Sequence, residues 1–370
     1  MRLCHFEELA PVCPRCRAEG HGDAPLILAI AERRSGDDIL EGILHCSRMA
    51  CRQEFPVIDG IPIIVPDVAR YIGDNLWHLT ARDDLSATLE TLLGDAAGQS
   101  SAYDSTRYHI SSYAYDHWGE YDPEETGVPM PPGAVARCLN AGLDLLGGEP
   151  FSGPALDIGC SVGRSTFALA ERVPGLVLGA DLNFSMLRVA QRVRTEGVVV
   201  YPRRRIGLVY DRRRFAVPTV GAERIDFWVC DAMALPFASR QFGMVSALNV
   251  LDCVPDPRAV LASIGGSLQL GGGGVLATPY DWSAVATQPR GWIGGHSQRG
   301  GLAGAGEPQL RALLTTGEGG TGMRIVNEEV DFPWRVRLHD RSTVIYSTHL
   351  VAVRAGEAEL DQEDGSGGRI

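Results

Sequence analysis

A short apolar segment, Ala155–Ile158, runs directly into the glycine-bearing turn Asp157-Ile-Gly-Cys-Ser-Val-Gly163. A strand that turns at once into a helix constrains the fold, because it forms one arm of a parallel strand–helix–strand unit. Gly159 and Gly163 permit the tight turn and allow a ligand to approach the backbone closely. Ser161 stands between them, where a third glycine is common. We therefore predict a ligand-binding turn at one edge of an α/β sheet.

Further apolar segments alternate with helical patterns after this turn. The predicted strands are Leu176–Ala180, Asp226–Cys230, Gly243–Ala247 and Gly274–Thr278, and the predicted helices include Ser165–Arg172 and Ser185–Arg194. Alternation of this kind is typical of a parallel sheet with right-handed crossovers. The fold class is predicted to be α/β, with a Rossmann-like sheet covered by helices on both faces.

Polar residues follow the predicted strands where ligands bind in open α/β sheets. Asp181 lies 18 residues beyond Gly163, a separation that places a carboxylate beside a ribose. Asp157 would repel a pyrophosphate but suits a cationic ligand. Asp231 follows the third strand and could receive an adenine amino group, and Asn249 ends the fourth. A phosphate-binding nucleotide site and simple turn-forming acids are the alternatives.

These residues resemble those of class I S-adenosylmethionine-dependent methyltransferases, and the resemblance covers about residues 105–355. It implies that Asp181 binds the ribose and that the Asp231-Ala232 pair binds the adenine. It also places Gly159, Ser161 and Gly163 along the methionyl and ribose portions of S-adenosylmethionine.

Two cysteine pairs, Cys13-Pro-Arg-Cys16 and Cys46-Ser-Arg-Met-Ala-Cys51, lie 29 residues apart near the start of the chain. Four thiolates from two such pairs are typical of a closed, tetrahedral structural zinc site. The second pair has four intervening residues, where two is commoner. His45 is an alternative ligand or a surface histidine. Since so small a module lacks a large core, the metal would contribute free energy of folding.

The segment Glu54-Phe-Pro-Val-Ile-Asp-Gly-Ile-Pro-Ile-Ile-Val completes a resemblance to the small zinc-ribbon activating subunits of tRNA and protein methyltransferases. Here the ribbon would be fused in cis, ahead of the catalytic domain. The resemblance implies a structural role, in which the ribbon stabilises the enzyme by strand pairing and apolar contact.

Three later segments point to the acceptor: 249–257, 277–295 and 329–337. They resemble the C-terminal methyltransferase domain of ovothiol biosynthesis, a 4-mercaptohistidine ring-nitrogen methyltransferase. Methylation of a ring nitrogen needs a neutral imidazole aimed at the sulfonium methyl group, and positioning supplies much of the rate. The candidate catalytic residues are Asp252, Tyr280 and His296, with Asp281 as a further base. Trp282 and Trp292 are interpreted as core or lid packing rather than a substrate cage.

The chain departs from the ovothiol enzyme in two ways. It lacks the preceding sulfoxide synthase portion, and it carries an arginine-rich insertion, Tyr201–Phe215. The apolar centre of this insertion, between two arginine triplets, predicts a hairpin with solvated ends. The alternative is a clamp for an anionic substrate, because arginine binds carboxylates bidentately.

These features divide the chain into a zinc ribbon (1–66), a helical linker and cap (67–129), the methyltransferase domain (130–355) and a disordered acidic tail (356–370). The net charge of −12 argues against broad nucleic-acid binding. No apolar run reaches the length of a membrane span, and a cytoplasmic protein is expected. The expected partner is a small-molecule substrate, and a homodimer is also considered. The alternative function is methylation of RNA or a translation factor, with the ribbon contacting the substrate or a partner.

Overall fold

The computed structural model of the chain describes residues 1–125, 131–147, 151–315 and 321–356. The predicted acidic tail lies outside these residues except for Gly356. The helices are α1 (Leu3–Leu9), α2 (Pro14–Ala18), α3 (Val68–Thr80), α4 (Ala87–Ala97), α5 (Ala102–Trp118), α6 (Ala134–Leu146), α7 (Arg164–Arg172), α8 (Phe184–Glu196), α9 (Pro257–Ser267) and α10 (Gly306–Thr315). The strands are β1 (Leu26–Ser35), β2 (Asp38–Cys46), β3 (Glu54–Ile58), β4 (Ile61–Ile64), β5 (Ala155–Ile158), β6 (Val177–Asp181), β7 (Val198–Ile206), β8 (Val209–Ala216), β9 (Ile225–Cys230), β10 (Phe242–Leu248), β11 (Leu268–Thr278), β12 (Met323–His339) and β13 (Ser342–Ala355).

Eleven of the described strands form one sheet in the order β1-β2-β3-β4-β9-β6-β5-β10-β11-β13-β12. The central strands β9, β6, β5, β10 and β11 are parallel. Every residue of β5, β9 and β10 is buried, as expected for strands covered by helices on both faces. The predicted Rossmann-like α/β fold is therefore confirmed.

The far edge of the sheet is a long antiparallel hairpin of β12 and β13, and β13 also pairs antiparallel with β11. The sequence did not predict these two strands. Much of β12 is exposed and its register shifts at three places, so its side chains do not keep a regular alternation of apolar and polar residues.

The N-terminal strands β1 to β4 form an antiparallel meander that joins the central sheet. β4 pairs in parallel with β9, with Ile63 opposite Val229 and Ile64 opposite Cys230. Ile63 and Ile64 are fully buried. The N-terminal segment thus adds strands to the central sheet instead of forming a separate one.

Three helices, α3, α4 and α5, connect this meander to the main domain, as the helical pattern predicted. α4 contains Gly94 and ends at Ala97. α5 packs on the hairpin formed by β7 and β8, which was predicted from the arginine-rich segment. None of the helices in the described ranges has the length and apolar character that crossing a membrane requires.

Candidate cofactor site and cysteine cluster

The glycine turn lies between the end of β5 and the start of α7, as the sequence predicts. At Gly163 the backbone φ is +88°, and an added Cβ would meet Phe227 at 2.8 Å and Ala190 at 2.9 Å. Ser161 also has a positive φ, +51°. Its backbone N–H donates to Asp181 Oδ2 at 2.8 Å, so the turn and the end of β6 are joined directly.

Asp181 ends β6 and accepts a second backbone hydrogen bond, from Asn183 N–H at 2.7 Å. Burial raises the pKa of Asp181, although these N–H donors act in the opposite direction. The carboxylate is therefore held in a fixed position beside the turn. Tyr71 of α3 donates its hydroxyl to the neighbouring Leu182 carbonyl at 2.7 Å.

The other predicted cofactor residues also lie at strand ends. Asp231 follows β9 and accepts the N–H of Met233 at 2.9 Å, and Ala232 beside it is half-buried. Asn249 follows β10 with a φ of +54°, and its backbone N–H donates to Ala277. Its side-chain Oδ1 is buried and has no partner among the described residues. Because parallel strands end at one edge, these residues share that edge with Asp181.

Asp157 is 1% exposed. Its carboxylate accepts three hydroxyl groups: Ser165 at 2.6 Å, Thr166 at 2.7 Å and Ser246 at 2.7 Å. Burial raises the pKa of Asp157 to about 6, against the effect of these three donors. The described bonds of Asp157 therefore tie the start of α7 to β10, and a direct contact with the cofactor stays a prediction.

The C-terminal half of α5 closes over this edge, which sequence reasoning missed. Trp118 Nε1 donates to the Val162 carbonyl within the glycine turn at 2.9 Å. Burial, together with the charges of Asp181 and Asp252, raises the pKa of Tyr113 on the same helix. The aromatic residues clustered in the segment 113–121 are the sequence feature that could have predicted that this helix packs against the cofactor edge.

Asp252, the first catalytic candidate, lies just after β10 and is 3% exposed. Its Oδ1 has no hydrogen-bond partner among the described residues. Burial, aided by the charge of Asp281, raises the pKa of Asp252 to about 6. Asp281 itself accepts the hydroxyl of Tyr346 at 2.9 Å. A carboxylate with an unfilled acceptor and a pKa near neutrality can receive a proton.

Tyr280, the second candidate, follows β11 and is engaged by buried groups that the sequence did not predict. Its hydroxyl oxygen lies 2.7 Å from Nδ1 of His349, and Nε2 of His349 lies 3.0 Å from Glu328. Arg311 donates to Glu328 at 2.8 Å. The network is built from β12 and β13, so it depends on strands far away in sequence.

His296, the third candidate, lies in the segment after Trp292. Its Nδ1 is 2.6 Å from the Ser297 hydroxyl, and its Nε2 is 3.3 Å from the Trp292 carbonyl. Among the described residues, these hydrogen bonds of His296 stay within its own loop, whereas Asp281 acts on Asp252 directly. Trp282 and Trp292 stack on each other with ring centroids 6.1 Å apart.

The arginine triplets of β7 and β8 pair extensively with carboxylates of this chain. Arg203 lies 3.0 Å from Glu125, and Arg205 lies 2.6 Å from Asp340. Arg213 pairs with Asp122. These arginines are not wholly solvated, because their guanidinium groups form ion pairs with carboxylates of the same chain. In this arrangement they are not available to an anionic substrate.

The four predicted metal-binding cysteines, Cys13, Cys16, Cys46 and Cys51, come together, with all sulfur atoms within 4.8 Å of one another. The separation is 3.9 Å from Cys13 to Cys51 and 3.7 Å from Cys16 to Cys46. Tetrahedral zinc with bonds of about 2.3 Å would separate its sulfur ligands by roughly 3.8 Å. The cluster therefore fits a tetrahedral metal ion, and His45 is not part of it.

Comparison with known proteins agrees with this architecture. Residues 156–276 match the family described as a methyltransferase domain. The methyltransferase GfsG of Streptomyces halstedii is 25% identical over 197 residues, which are 49% of this chain and 61% of that protein. The chain thus spans less than two thirds of this curated relative.

Solved structures resemble the chain more distantly. A Haemonchus contortus phosphoethanolamine N-methyltransferase in complex with S-adenosyl-L-methionine is 23% identical, covering 47% of this chain and 35% of that one, with a TM-score of 0.32. A Haloferax volcanii methyltransferase complex with the activator Trm112 is 16% identical, covering 60% and 92%, with a TM-score of 0.37. The [4+2]-cyclase SpnF is 14% identical, covering 68% and 96%, with a TM-score of 0.40. Similarity at this level does not indicate a substrate.

The family match spans β5 to β11, the part of the chain that contains the glycine turn and the polar residues at the strand ends. Residues 156–276 of the chain are therefore assigned to a methyltransferase domain.

Proposed function

We propose that the chain transfers a methyl group from S-adenosylmethionine to a small molecule, and that the acceptor atom is a ring nitrogen of a thiol-histidine or related imidazole. The observation that carries the acceptor proposal is the buried Asp252 carboxylate, with one unfilled acceptor oxygen near the cofactor edge. The division into ribbon, cap and methyltransferase domain at residues 66 and 129 belongs to the same proposal.

The cofactor-binding residues in this proposal are those gathered at the strand ends. Asp181 accepts the ribose hydroxyls, Asp231 and Ala232 bind the adenine, and the turn Gly159–Gly163 faces the methionyl portion. Asn249 offers its unpartnered Oδ1 to the same ligand. When bound, S-adenosylmethionine supplies an electrophilic methyl group on a sulfonium. The fixed Asp181, held by two backbone N–H groups, supports this assignment.

A neutral imidazole has one ring nitrogen with a lone pair and one that carries a proton. The lone pair attacks the methyl carbon as the carbon–sulfur bond breaks, so positive charge develops on the ring. Asp252 then accepts a hydrogen bond from the other ring N–H and takes its proton. With a pKa of about 6, Asp252 is largely ionised at neutral pH and can do so. Tyr280 and His296 are proposed to position the acceptor.

The test is methyl transfer from labelled S-adenosylmethionine to 4-mercaptohistidine, to histidine and to total RNA, measured in parallel. The proposal expects label in an imidazole product and a loss of about 10- to 100-fold in rate for Asp252→Asn. Asp256→Asn, at the exposed start of α9, is the matched control. Label in RNA alone would refute the small-molecule assignment, and failure to bind S-adenosylmethionine would refute the enzyme assignment.

Methylation of RNA or a translation factor is the second candidate, favoured by the cysteine cluster and by the pairing of β4 with β9. The net charge of −12 and the internal pairing of Arg203, Arg205 and Arg213 weigh against it. Arginines already paired with carboxylates release little free energy when they meet a phosphate.

We also propose that Cys13, Cys16, Cys46 and Cys51 hold a structural zinc ion. Four thiolates would close the coordination sphere, so the metal would stabilise the fold without taking part in the reaction. The sulfur separations of 3.7 and 3.9 Å support this geometry.

A further inference from the structure

A cavity of about 420 Å³ lies between the cap helices and α8. Its walls come from α3, α4, α5, α8 and the β7–β8 hairpin. Most of the exposed lining is apolar, with Trp77, Leu93, Ile110 and Val189 among its residues. Trp77 is 44% and Leu93 is 45% exposed, so apolar surface reaches the mouth of the cavity. The volume is in the range of small-molecule sites.

Five arginines also line this cavity, and four of them have a carboxylate partner within the chain. These pairs are Arg82 with Asp84, Arg188 with Asp59, Arg192 with Asp83, and Arg212 with Glu90. Arg107 is the fifth, and among the described residues no carboxylate lies within ion-pair distance of it. The positive charge of the cavity is therefore uncompensated at one position.

The Arg107 guanidinium is held rigidly, although it has no counter-ion. The residue is 7% exposed. Its Cζ lies 4.6 Å from the ring centre of Tyr103 and 4.2 Å from that of Tyr210. Nη1 donates to the Glu90 carbonyl at 3.4 Å. An added Cβ at Gly94 would collide with the guanidinium, so this glycine lets α4 approach it closely.

Two donors of Arg107, Nε and Nη2, are buried and have no partner among the described residues. These two N–H groups form the edge of a guanidinium that binds a carboxylate through two parallel hydrogen bonds. A buried cation without a counter-ion is costly to maintain, and a carboxylate ligand would remove that cost. The two tyrosine rings fix the plane of the fork before a ligand arrives.

We propose that this cavity binds an apolar carboxylate, whose carboxylate pairs with Nε and Nη2 of Arg107 and whose apolar body packs on Trp77, Leu93 and Ile110. This binding goes beyond methyl transfer and does not depend on it. No candidate cofactor or catalytic residue lines the cavity. The proposed ligand class includes both aliphatic and aromatic carboxylic acids.

The test is calorimetric titration of the full chain with octanoate, 3-phenylpropanoate and 1-octanol. Either carboxylate should bind. The acid that binds more tightly shows whether the cavity prefers an aliphatic or an aromatic ligand. Octanol, which keeps the apolar chain but lacks the charge, should bind at least about tenfold more weakly than octanoate. Equal affinity for octanoate and octanol, or no binding of either acid, would overturn the proposal.

Arg107→Gln should weaken carboxylate binding by at least about tenfold, because it removes a charge-assisted bidentate pair. Arg82→Gln is the matched control, since it removes a cavity arginine whose guanidinium is already bonded to Asp84. S-adenosylmethionine affinity, measured on both variants, reports whether the fold is intact. If Arg107→Gln folds and binds octanoate as tightly as the unaltered chain, the proposal is wrong.

Discussion

Replacing Asp157 with asparagine should change how the stability of this protein depends on pH. The pKa of Asp157 is raised to about 6 by burial, compared with 3.8 for an ordinary aspartate. A raised carboxyl pKa stabilises the fold below the unfolded pKa, and that contribution is lost as pH rises through the folded pKa. The stabilisation lost over the whole titration is on the order of 3 kcal/mol, and about 1 kcal/mol of it is lost between about pH 5 and about pH 8.

Asparagine is neutral at every pH in this range and keeps oxygen and nitrogen atoms for Ser165, Thr166 and Ser246. The free energy of unfolding of Asp157→Asn, relative to the unaltered chain, should therefore rise by about 1 kcal/mol from about pH 5 to about pH 8. Urea denaturation at several pH values measures this difference. Asp144→Asn, which alters an exposed carboxylate bonded to Arg172, is the control and should show no such trend. A pH-independent difference for Asp157→Asn would refute the reasoning.

The same position separates a structural role from direct cofactor contact. Asp157→Ala leaves three buried hydroxyls without their acceptor and should lower the free energy of unfolding by about 3 kcal/mol, at about 1 kcal/mol for each hydrogen bond. Since all described bonds of Asp157 go to hydroxyls, Asp157→Asn should weaken S-adenosylmethionine binding less than about threefold, whereas Asp181→Asn should weaken it at least about tenfold. Equal losses in a calorimetric titration would place the Asp157 carboxylate on the cofactor.

Three further predictions follow from individual contacts. The rate of methyl transfer should rise with pH through about 6 as Asp252 deprotonates, and Asp252→Asn should remove that limb of the kcat/KM profile. His349→Phe leaves the Tyr280 hydroxyl without its partner and removes one of the two partners of Glu328, the other being Arg311; it should lower the free energy of unfolding by about 1–3 kcal/mol, measured in urea. Cys13→Ser with Cys16→Ser should release bound zinc, measured by elemental analysis, and lower the melting temperature; unchanged zinc content would contradict the assignment.

The parts of the fold that could be predicted are those with a local signal. The strands β5, β9 and β10 are apolar at nearly every position because both of their faces are covered, and short runs of this kind stand out in a sequence. The hairpin of β12 and β13 has no such signal, because bulges interrupt its alternation and much of β12 is exposed. Its two strands could not be recognised without the sheet that they complete.

The candidate site likewise contains some residues whose position could be predicted from the sequence and others whose position could not. Asp181 is the last residue of a strand and Asp231 directly follows one, so their place at the sheet edge is predictable from sequence position. His349 reaches Tyr280 only because β13 pairs with β11, and Trp118 reaches the Val162 carbonyl only because α5 folds back over the strand ends. Such contacts depend on tertiary structure, which the spacing of residues does not reveal.

The cysteine cluster and the cofactor edge are connected through a strand pairing and through two hydrogen bonds, from the Val12 N–H to the Pro236 carbonyl at 2.8 Å and from Arg17 to the Leu235 carbonyl at 3.0 Å. β9 would be an unpaired edge of the parallel sheet if β4 did not lie beside it, and an unpaired edge leaves backbone groups exposed to other chains. The last pair in this register is Ile64 with Cys230, and Asp231 is the next residue. Loss of the metal would loosen the meander that ends in β4, and the disturbance would reach the proposed adenine-binding residue through this pair. The sulfur cluster is therefore expected to act on the cofactor in part through this strand pairing, so disrupting β4 should weaken cofactor binding even while the four cysteines remain.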